Sequence, residues 1–136
     1  MSQRANLARA LATEPEILLM DEPFGSLDAI SRLQMHEVLV DIWKRLGMSI
    51  VFVTHDVDEA VSLADRIFIM THRPGTFAGE VQISLDRPRI KDGIQRQGFE
   101  IFRNEVAASA RDLYLNNTRI NSTTYHFFQN SPDHLS

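Results

Sequence analysis

The chain has 136 residues, a length typical of one domain. Its 14 basic and 18 acidic residues give a net charge of −4, and this balance argues against non-specific nucleic-acid binding, which needs a concentrated positive field. The absence of cysteine excludes disulfides, thiolate catalysis and cysteine-ligated metal sites. Every apolar run is far shorter than the roughly 20 residues of a membrane-spanning helix, so a soluble intracellular chain is predicted.

The first half of the chain alternates between helical and strand patterns. Apolar residues at helical spacing predict three helices, over residues 2–12, 29–46 and 56–63. Short apolar runs predict three strands, at Ile17–Met20, Ile50–Val53 and Ile67–Met70. The first two runs are uninterrupted, which is typical of strands buried on both faces. Strands that alternate with helices predict an α/β fold, with a parallel sheet and helices on both of its faces.

The second half of the chain follows a different pattern. Pro74–Gly75 indicates a turn, Gly79–Leu85 alternates like a half-exposed strand, and Asp92–Leu115 has the spacing of a helix. Residues 1–115 are therefore predicted to form the structured unit. Residues 116–136 are polar and are predicted to be a disordered tail, although three aromatic residues in it could dock: Tyr125, Phe127 and Phe128.

Two predicted strands end in polar, titratable residues. Asp21 and Glu22 directly follow the first strand. His55 follows the second strand, with one residue, Thr54, between them. Parallel neighbours bring their carboxyl ends to one edge of a sheet, where open α/β folds bind ligands. Taken alone, each motif is also explained by a solvated acidic turn or by a structural or exposed histidine. His36, on the long predicted helix, is expected to be exposed.

Together these motifs resemble the ATP-binding subunit of ABC (ATP-binding cassette) transporters. Asp21–Glu22 is similar to the end of the Walker B strand, Ser26–Asp28 to the D-loop, and His55 to the switch histidine. Residues 2–11 resemble the helix that follows the signature sequence. The resemblance covers residues 2–71 and implies a partial P-loop NTPase domain: parallel strands with flanking helices, then a C-terminal helix and the disordered tail.

The resemblance also implies a role for each matching residue. Asp21 is expected to hold Mg²⁺, and Glu22 to polarise the attacking water. His55 is expected to contact the γ-phosphate, and Asp28 to link the two ATP sites of a dimer. ATP and Mg²⁺ are the implied cofactors. The implied partners are a second ATPase subunit, the transmembrane permease subunits and, indirectly, a periplasmic or extracellular solute-binding protein. The implied location is the cytoplasmic face of the cell membrane.

One departure from the family pattern is the missing phosphate-binding loop. None of the six glycines belongs to a G-x-x-x-x-G-K-[ST] segment, so the cradle and lysine for the β- and γ-phosphates are not in this sequence. We therefore expect the C-terminal portion of a longer subunit, arising from truncation, a mis-assigned start or a pseudogene, and inactive alone. The alternatives are a non-catalytic interaction protein that pairs with transporter subunits and an unrelated βαβ binding module.

Three segments after the third strand narrow the resemblance to one subgroup. Thr71–Gly75, Glu80–Ile83 and Asp86–Arg89 resemble the importers of nitrate, sulfonates, taurine and bicarbonate. This resemblance implies uptake of a small anionic solute. A turn, an edge strand and a basic loop explain the same residues without that function.

Overall fold

The computed structural model describes residues 2–70, 76–87, 89, 96–116 and 124–129. These residues form four helices and five strands. In chain order they are α1 (Gln3–Leu11), β1 (Ile17–Asp21), α2 (Ala29–Leu46), β2 (Ser49–Thr54), α3 (Val57–Leu63), β3 (Arg66–Met70), β4 (Phe77–Gln82), α4 (Arg96–Asn116) and β5 (Thr124–Gln129). The α/β class and the C-terminal helix are confirmed. The turn predicted at 74–75 lies outside the described residues.

Local capping fixes the two helices that flank the candidate site. The side chain of Asp28 accepts a hydrogen bond from the Ser31 amide and begins α2, and Gly47 ends it in the left-handed conformation with φ 63°. The side chain of Asp56 accepts hydrogen bonds from the Asp58 and Glu59 amides and begins α3. The predicted bounds of the two helices, residues 29–46 and 56–63, are confirmed to within one residue, because such caps depend only on neighbouring residues.

The five strands form one sheet in the order β1-β2-β5-β3-β4. β1 and β2 are parallel, as predicted. β5 lies between β2 and β3 and is antiparallel to both, so β2 and β3 also run in the same direction. Residues 124–129, which form β5, belong to the segment that the sequence predicts to be a disordered tail.

The buried strand residues share one face of the sheet. The register places Leu18 beside Ile50, and both are buried, whereas Ile17 and Leu19 are 58% and 73% exposed. The prediction that β1 is buried on both faces is therefore wrong. β1 lies at the edge of the sheet, and no element in the described part of the chain covers its second face. The helices expected on both faces thus bury only one face of this strand.

Two adjacent leucines of β1 test this one-sided burial. We expect Leu18→Ala to lower the free energy of unfolding by about 2–4 kcal/mol, because it opens a cavity in the core. Leu19→Ala, the matched control, should change it by less than about 0.5 kcal/mol, because Leu19 contributes little buried area. Urea unfolding of both variants measures the difference. Equal losses would show that the second face of β1 is covered in solution.

No helix within the described ranges is both long enough and apolar enough to cross a membrane.

Candidate functional site

The two strand ends singled out in the sequence meet in the structure. Glu22 follows β1, and His55 follows β2, its parallel neighbour. His55 Nε2 lies 3.1 Å from Glu22 Oε1, a close approach of the two groups that does not have hydrogen-bond geometry. The Glu22 amide donates to the Val53 carbonyl at 2.9 Å, which continues the pairing of the strands to the site itself. The expected juxtaposition of these two side chains is therefore observed.

Glu22 has a backbone conformation that is unusual for a residue with a side chain. Its φ angle is 45°, in the left-handed region, where a residue other than glycine is strained by about 1–3 kcal/mol. The turn is stabilised in two ways. The Gly25 amide donates a hydrogen bond to the Glu22 carbonyl at 3.4 Å, and the Phe24 side chain is buried in the core. Backbone strain of this kind concentrates at functional sites.

Glu22 and His55 line a cavity of about 460 Å³. Polar residues from three helices and two strand ends form most of its wall: Glu22, Arg32, Thr54, His55, Asp56, Asp58, Glu59 and Arg103. The wall carries four carboxylates and two guanidinium groups. The cavity is therefore suited to orienting water or a cation, and an anionic ligand would need a compensating positive charge.

Both cavity arginines are engaged by aspartates of the His55 loop and α3. Arg32 Nη1 lies 3.3 Å from Asp56 Oδ2, and Arg103 Nε lies 2.6 Å from Asp58 Oδ1. The hydrogen bond and the charge of Asp58 raise the pKa of Arg103 above its ordinary value. These pairs attach α2 and α4 to the beginning of α3, and so fix the backbone that carries His55.

A partly buried histidine connects the Glu22 loop to α3. His36 Nε2 is 3.8 Å from Glu59 Oε2, and the side chains are only 13% and 4% exposed. The His36 ring also packs edge-on against Phe24, with 4.7 Å between ring centroids. The prediction that His36 is exposed is wrong, because α2 directs it between the Glu22 loop and α3. Sequence spacing gives no signal for this contact, which joins three separate elements.

Asp21 lies beside Glu22 in sequence but contributes to a different cavity. Alternation along a strand sends neighbouring side chains to opposite sides. Asp21 is exposed and lines a mainly apolar cavity of about 180 Å³ between α1 and β1. Among the residues that the structure describes, no three histidine, aspartate or glutamate side chains are grouped to hold a metal ion. A magnesium role for Asp21 stays a prediction.

Asp28 is the amino-terminal cap of α2. Its Oδ1 accepts the Ser31 amide at 2.8 Å, and its Oδ2 accepts the Ser31 hydroxyl at 2.9 Å. These two hydrogen bonds to Ser31 lower the pKa of the Asp28 carboxyl below its ordinary value. The geometry accounts for Asp28 as a capping residue, and its role in linking two ATP sites stays a prediction.

The Asp28 cap makes a pH-dependent contribution to stability. A carboxyl whose pKa is lower in the folded state than in the unfolded state stabilises the fold above the unfolded value, and this stabilisation is lost as the pH falls through the folded value. Ser31→Ala removes the hydroxyl partner. We expect it to destabilise the chain near pH 7 and to have a smaller effect at a pH acidic enough for the carboxyl to be protonated in both states. Urea unfolding at the two pH values measures this, and an equal effect at both would contradict it.

The basic residues of the loop after β4 point inward. Arg87 Nη2 lies 2.9 Å from Asp65 Oδ1, and its guanidinium stacks over the Trp43 ring at 4.5 Å. The Arg89 side chain is 2% exposed, and burial lowers its pKa to about 10. In the structure these two arginines attach the loop after β4 to Asp65 and Trp43. This structural role explains them without reference to the nitrate and sulfonate importer subgroup.

Fold and site together define an α/β protein with a carboxylate–histidine pair at the carboxyl edge of two parallel strands. Comparison with known proteins gives relatives that are named as ATP-binding proteins. The "Nitrate import ATP-binding protein" of Synechocystis is 54% identical over 85 residues, which are 62% of this chain and 32% of that protein. The "Aliphatic sulfonates import ATP-binding protein" of Bacillus licheniformis is 53% identical over 89 residues, which are 65% and 35% of the respective chains.

A third relative extends the similarity further along the chain. A "Putative ATP-binding protein" of Brucella melitensis is 47% identical over 106 residues, which are 78% of this chain and 45% of that protein. No protein-family model matches the chain. The resemblance read from the motifs is confirmed: the chain is homologous to ATP-binding subunits of ABC transporters in the nitrate and sulfonate importer-like group. It spans 32% to 45% of the length of the relatives described above.

Proposed function

We propose that this chain supplies the water-activating part of the ATP site in the ATPase subunit of an ABC importer. The observation that carries the proposal is the 3.1 Å approach of His55 Nε2 to Glu22 Oε1 at the carboxyl ends of adjacent parallel strands. In this proposal Glu22 polarises the attacking water, and His55 contacts the γ-phosphate and aligns that water. Asp21 serves as the magnesium ligand and Asp28 as the link between the two ATP sites.

The chemistry of the pair fits phosphoryl transfer to water. A carboxylate next to the water orients it and accepts its proton, and an imidazole nitrogen donates a hydrogen bond to a phosphate oxygen. Magnesium, when bound, neutralises charge on the phosphates. The strained backbone of Glu22 and the Arg32–Asp56 pair preorganise the two loops, which is the main contribution a protein makes to this reaction.

The residues of this chain fit only part of an ATP site. The cavity beside Glu22 has four carboxylates, and both of its arginines have aspartate partners, so it offers few donors to a polyphosphate. The G-x-x-x-x-G-K-[ST] segment that would cradle the phosphates is not in the sequence. In this proposal the isolated chain neither binds ATP tightly nor hydrolyses it, and activity needs residues from the rest of the subunit.

The names of the relatives support the proposed context. Two of them are named for the import of nitrate and of aliphatic sulfonates, so the proposed cargo is a small anion of that kind. The proposed partners are a second ATPase subunit, the transmembrane permease subunits and, indirectly, a solute-binding protein. The proposed location is the cytoplasmic face of the cell membrane.

A chimeric protein tests the proposed function. The matching segment of the Synechocystis relative is replaced by the homologous part of this chain, so that the relative supplies the remaining two thirds of the subunit. We expect the chimera to bind ATP and to release phosphate in the presence of magnesium. Isothermal calorimetry and a phosphate-release assay measure the two steps.

A non-catalytic interaction protein is the second candidate, and the acidic character of the cavity favours it. The same chimera separates the two functions. A folded chimera that binds ATP but hydrolyses it no faster than buffer would overturn the ATPase proposal and support the non-catalytic one. The unmodified relative serves as the positive control for folding and turnover.

A further inference from the structure

Two side chains of α2 each contact both of the segments that carry the candidate catalytic pair. Arg32 and His36 are four residues apart on α2, so they lie on the same side of the helix, one turn from each other. The first segment is the Glu22 loop, residues 22–28, between β1 and α2. The second is the His55 segment, residues 55–63, which contains His55 and α3. We call Arg32 and His36 the α2 bridge.

Arg32 makes the first connection through its guanidinium group. Nη2 donates a hydrogen bond to the Leu27 carbonyl of the Glu22 loop at 3.2 Å, and Nη1 donates one to Asp56 Oδ2 of the His55 segment at 3.3 Å. Asp56 directly follows His55 and caps α3. Because the guanidinium is a planar fork with fixed donor directions, Arg32 holds the Leu27 carbonyl in a defined position relative to the start of α3.

His36 makes the second connection one turn later. Its ring packs edge-on against Phe24 of the Glu22 loop, and its Nε2 faces Glu59 Oε2 of α3 at 3.8 Å. Nε2 is buried and has no hydrogen-bond partner in the part of the chain that the structure describes. An ionised carboxylate only accepts, so Nε2 carries the proton that faces Glu59. The attraction across this gap is strengthened by the low exposure of both groups.

The contact of His36 with Phe24 reaches Glu22 through a short turn. Phe24 is buried two residues after Glu22, and the Gly25 amide closes the turn onto the Glu22 carbonyl at 3.4 Å. Arg32 lines the cavity of the site, whereas His36 does not. His36 therefore affects the chemistry of the cavity only through the segments that it contacts.

We propose that the α2 bridge holds Glu22 and His55 at their working separation, and that Arg32 and His36 are positioning residues for the reaction at this site. One helix contacts both segments, so loss of either bridge residue loosens Glu22 relative to His55 instead of moving the two together. A misplacement of about 1 Å lowers turnover by up to about 10²-fold. This catalytic consequence rests on the proposed function, whereas the geometry of the bridge exists without nucleotide.

Nuclear magnetic resonance of the full chain without nucleotide tests the geometry alone. Glu22 Oε1 and His55 Nε2 are 3.1 Å apart, so the unmodified chain should give a nuclear Overhauser effect (NOE) between these side chains. His36→Ala should lose most of its intensity. Gln34→Ala, the matched control, should retain it, because Gln34 is exposed on the same helix and hydrogen-bonds to Arg4 of α1. A folded His36→Ala variant with an unchanged NOE, or an unmodified chain without one, would overturn the bridge.

Turnover in the chimera tests the catalytic consequence. His36→Ala should lower the turnover number by about 10 to 10²-fold and change KM for ATP by less than about twofold, because His36 lies outside the cavity. Arg32→Lys keeps the positive charge in the cavity but loses the fork that spans the two acceptors. It should lower the turnover number by about tenfold, with KM for ATP again changed by less than about twofold.

A core variant controls for lost stability, and the two measurements together separate this inference from the proposed function. Ile69→Ala opens a cavity in β3, away from the site, and should keep turnover within about twofold. A chimera without turnover, combined with a lost NOE in His36→Ala, would overturn the ATPase proposal and support the bridge. An active chimera in which His36→Ala has no effect, or the same effect as Ile69→Ala, would overturn the bridge alone. Arg32→Lys gives the same two readouts if His36→Ala does not fold.

Discussion

Replacement of Arg89 by methionine is expected to lower the free energy of unfolding by about 3–5 kcal/mol. The Arg89 guanidinium donates hydrogen bonds to four backbone carbonyls and to one carboxylate. The acceptors lie in α3, just after α3 and just after β4: the carbonyls of Val61, Ala64, Ile83 and Leu85 and the carboxylate of Asp65. Methionine keeps much of the volume but leaves these buried acceptors without that donor. The loss should appear in urea unfolding as a lower midpoint with an unchanged slope.

A matched control separates burial from charge. Arg45→Met removes an arginine that is 75% exposed and paired with Asp41 within α2, and it should change stability by less than about 0.5 kcal/mol. A similar small effect for Arg89→Met would mean that the loop after β4 is not anchored to the end of α3. The subgroup resemblance of this loop would then need an explanation other than packing.

In the chimera, Glu22→Gln should lower the turnover number by about 10² to 10⁴, the range that general acid–base catalysis contributes. The substitution keeps the size of the side chain and removes the charge that polarises water. ATP affinity should change by less than about threefold, because Glu22 acts mainly on the transition state. Initial rates of phosphate release and calorimetric titration with ATP measure the two quantities.

Glu37→Gln is the control for this substitution. Glu37 is exposed on α2, outside the cavity, and the substitution makes the same chemical change there. The turnover number of the Glu37→Gln variant should therefore equal that of the unmodified chimera. Asp21→Asn should differ in kind, weakening magnesium dependence and ATP binding together if Asp21 is the metal ligand. Equal loss of ATP binding in Glu22→Gln and Asp21→Asn would show that the two carboxylates are assigned wrongly.

Local sequence signals account for what could be predicted of the fold. The bounds of α2, with Asp28 at its start and Gly47 at its end, follow from residues within one helical turn of each terminus. The meeting of Glu22 and His55 follows from one topological rule, since both come after parallel neighbouring strands. These features need no knowledge of distant parts of the chain.

The features that the sequence did not reveal depend on long-range contacts. β5 pairs with β2 and β3, and a polar stretch gives no sign that a gap exists there to receive it. The exposure of Leu19 depends on which elements cover each face of the sheet, and the apolar character of a strand does not predict this. His36 is largely shielded from solvent because Phe24 and Glu59, from two other elements, pack against it.

The central claim is that Glu22 and His55 act on the same water molecule, and a double-mutant cycle in the chimera tests it most directly. Turnover is measured for the chimera, for Glu22→Gln, for His55→Ala and for the double variant. Residues that act as one unit are strongly non-additive, so the double variant should be no more than about threefold slower than the slower single variant. Turnover reduced by the full product of the two single effects would mean that the residues act independently and would contradict the account.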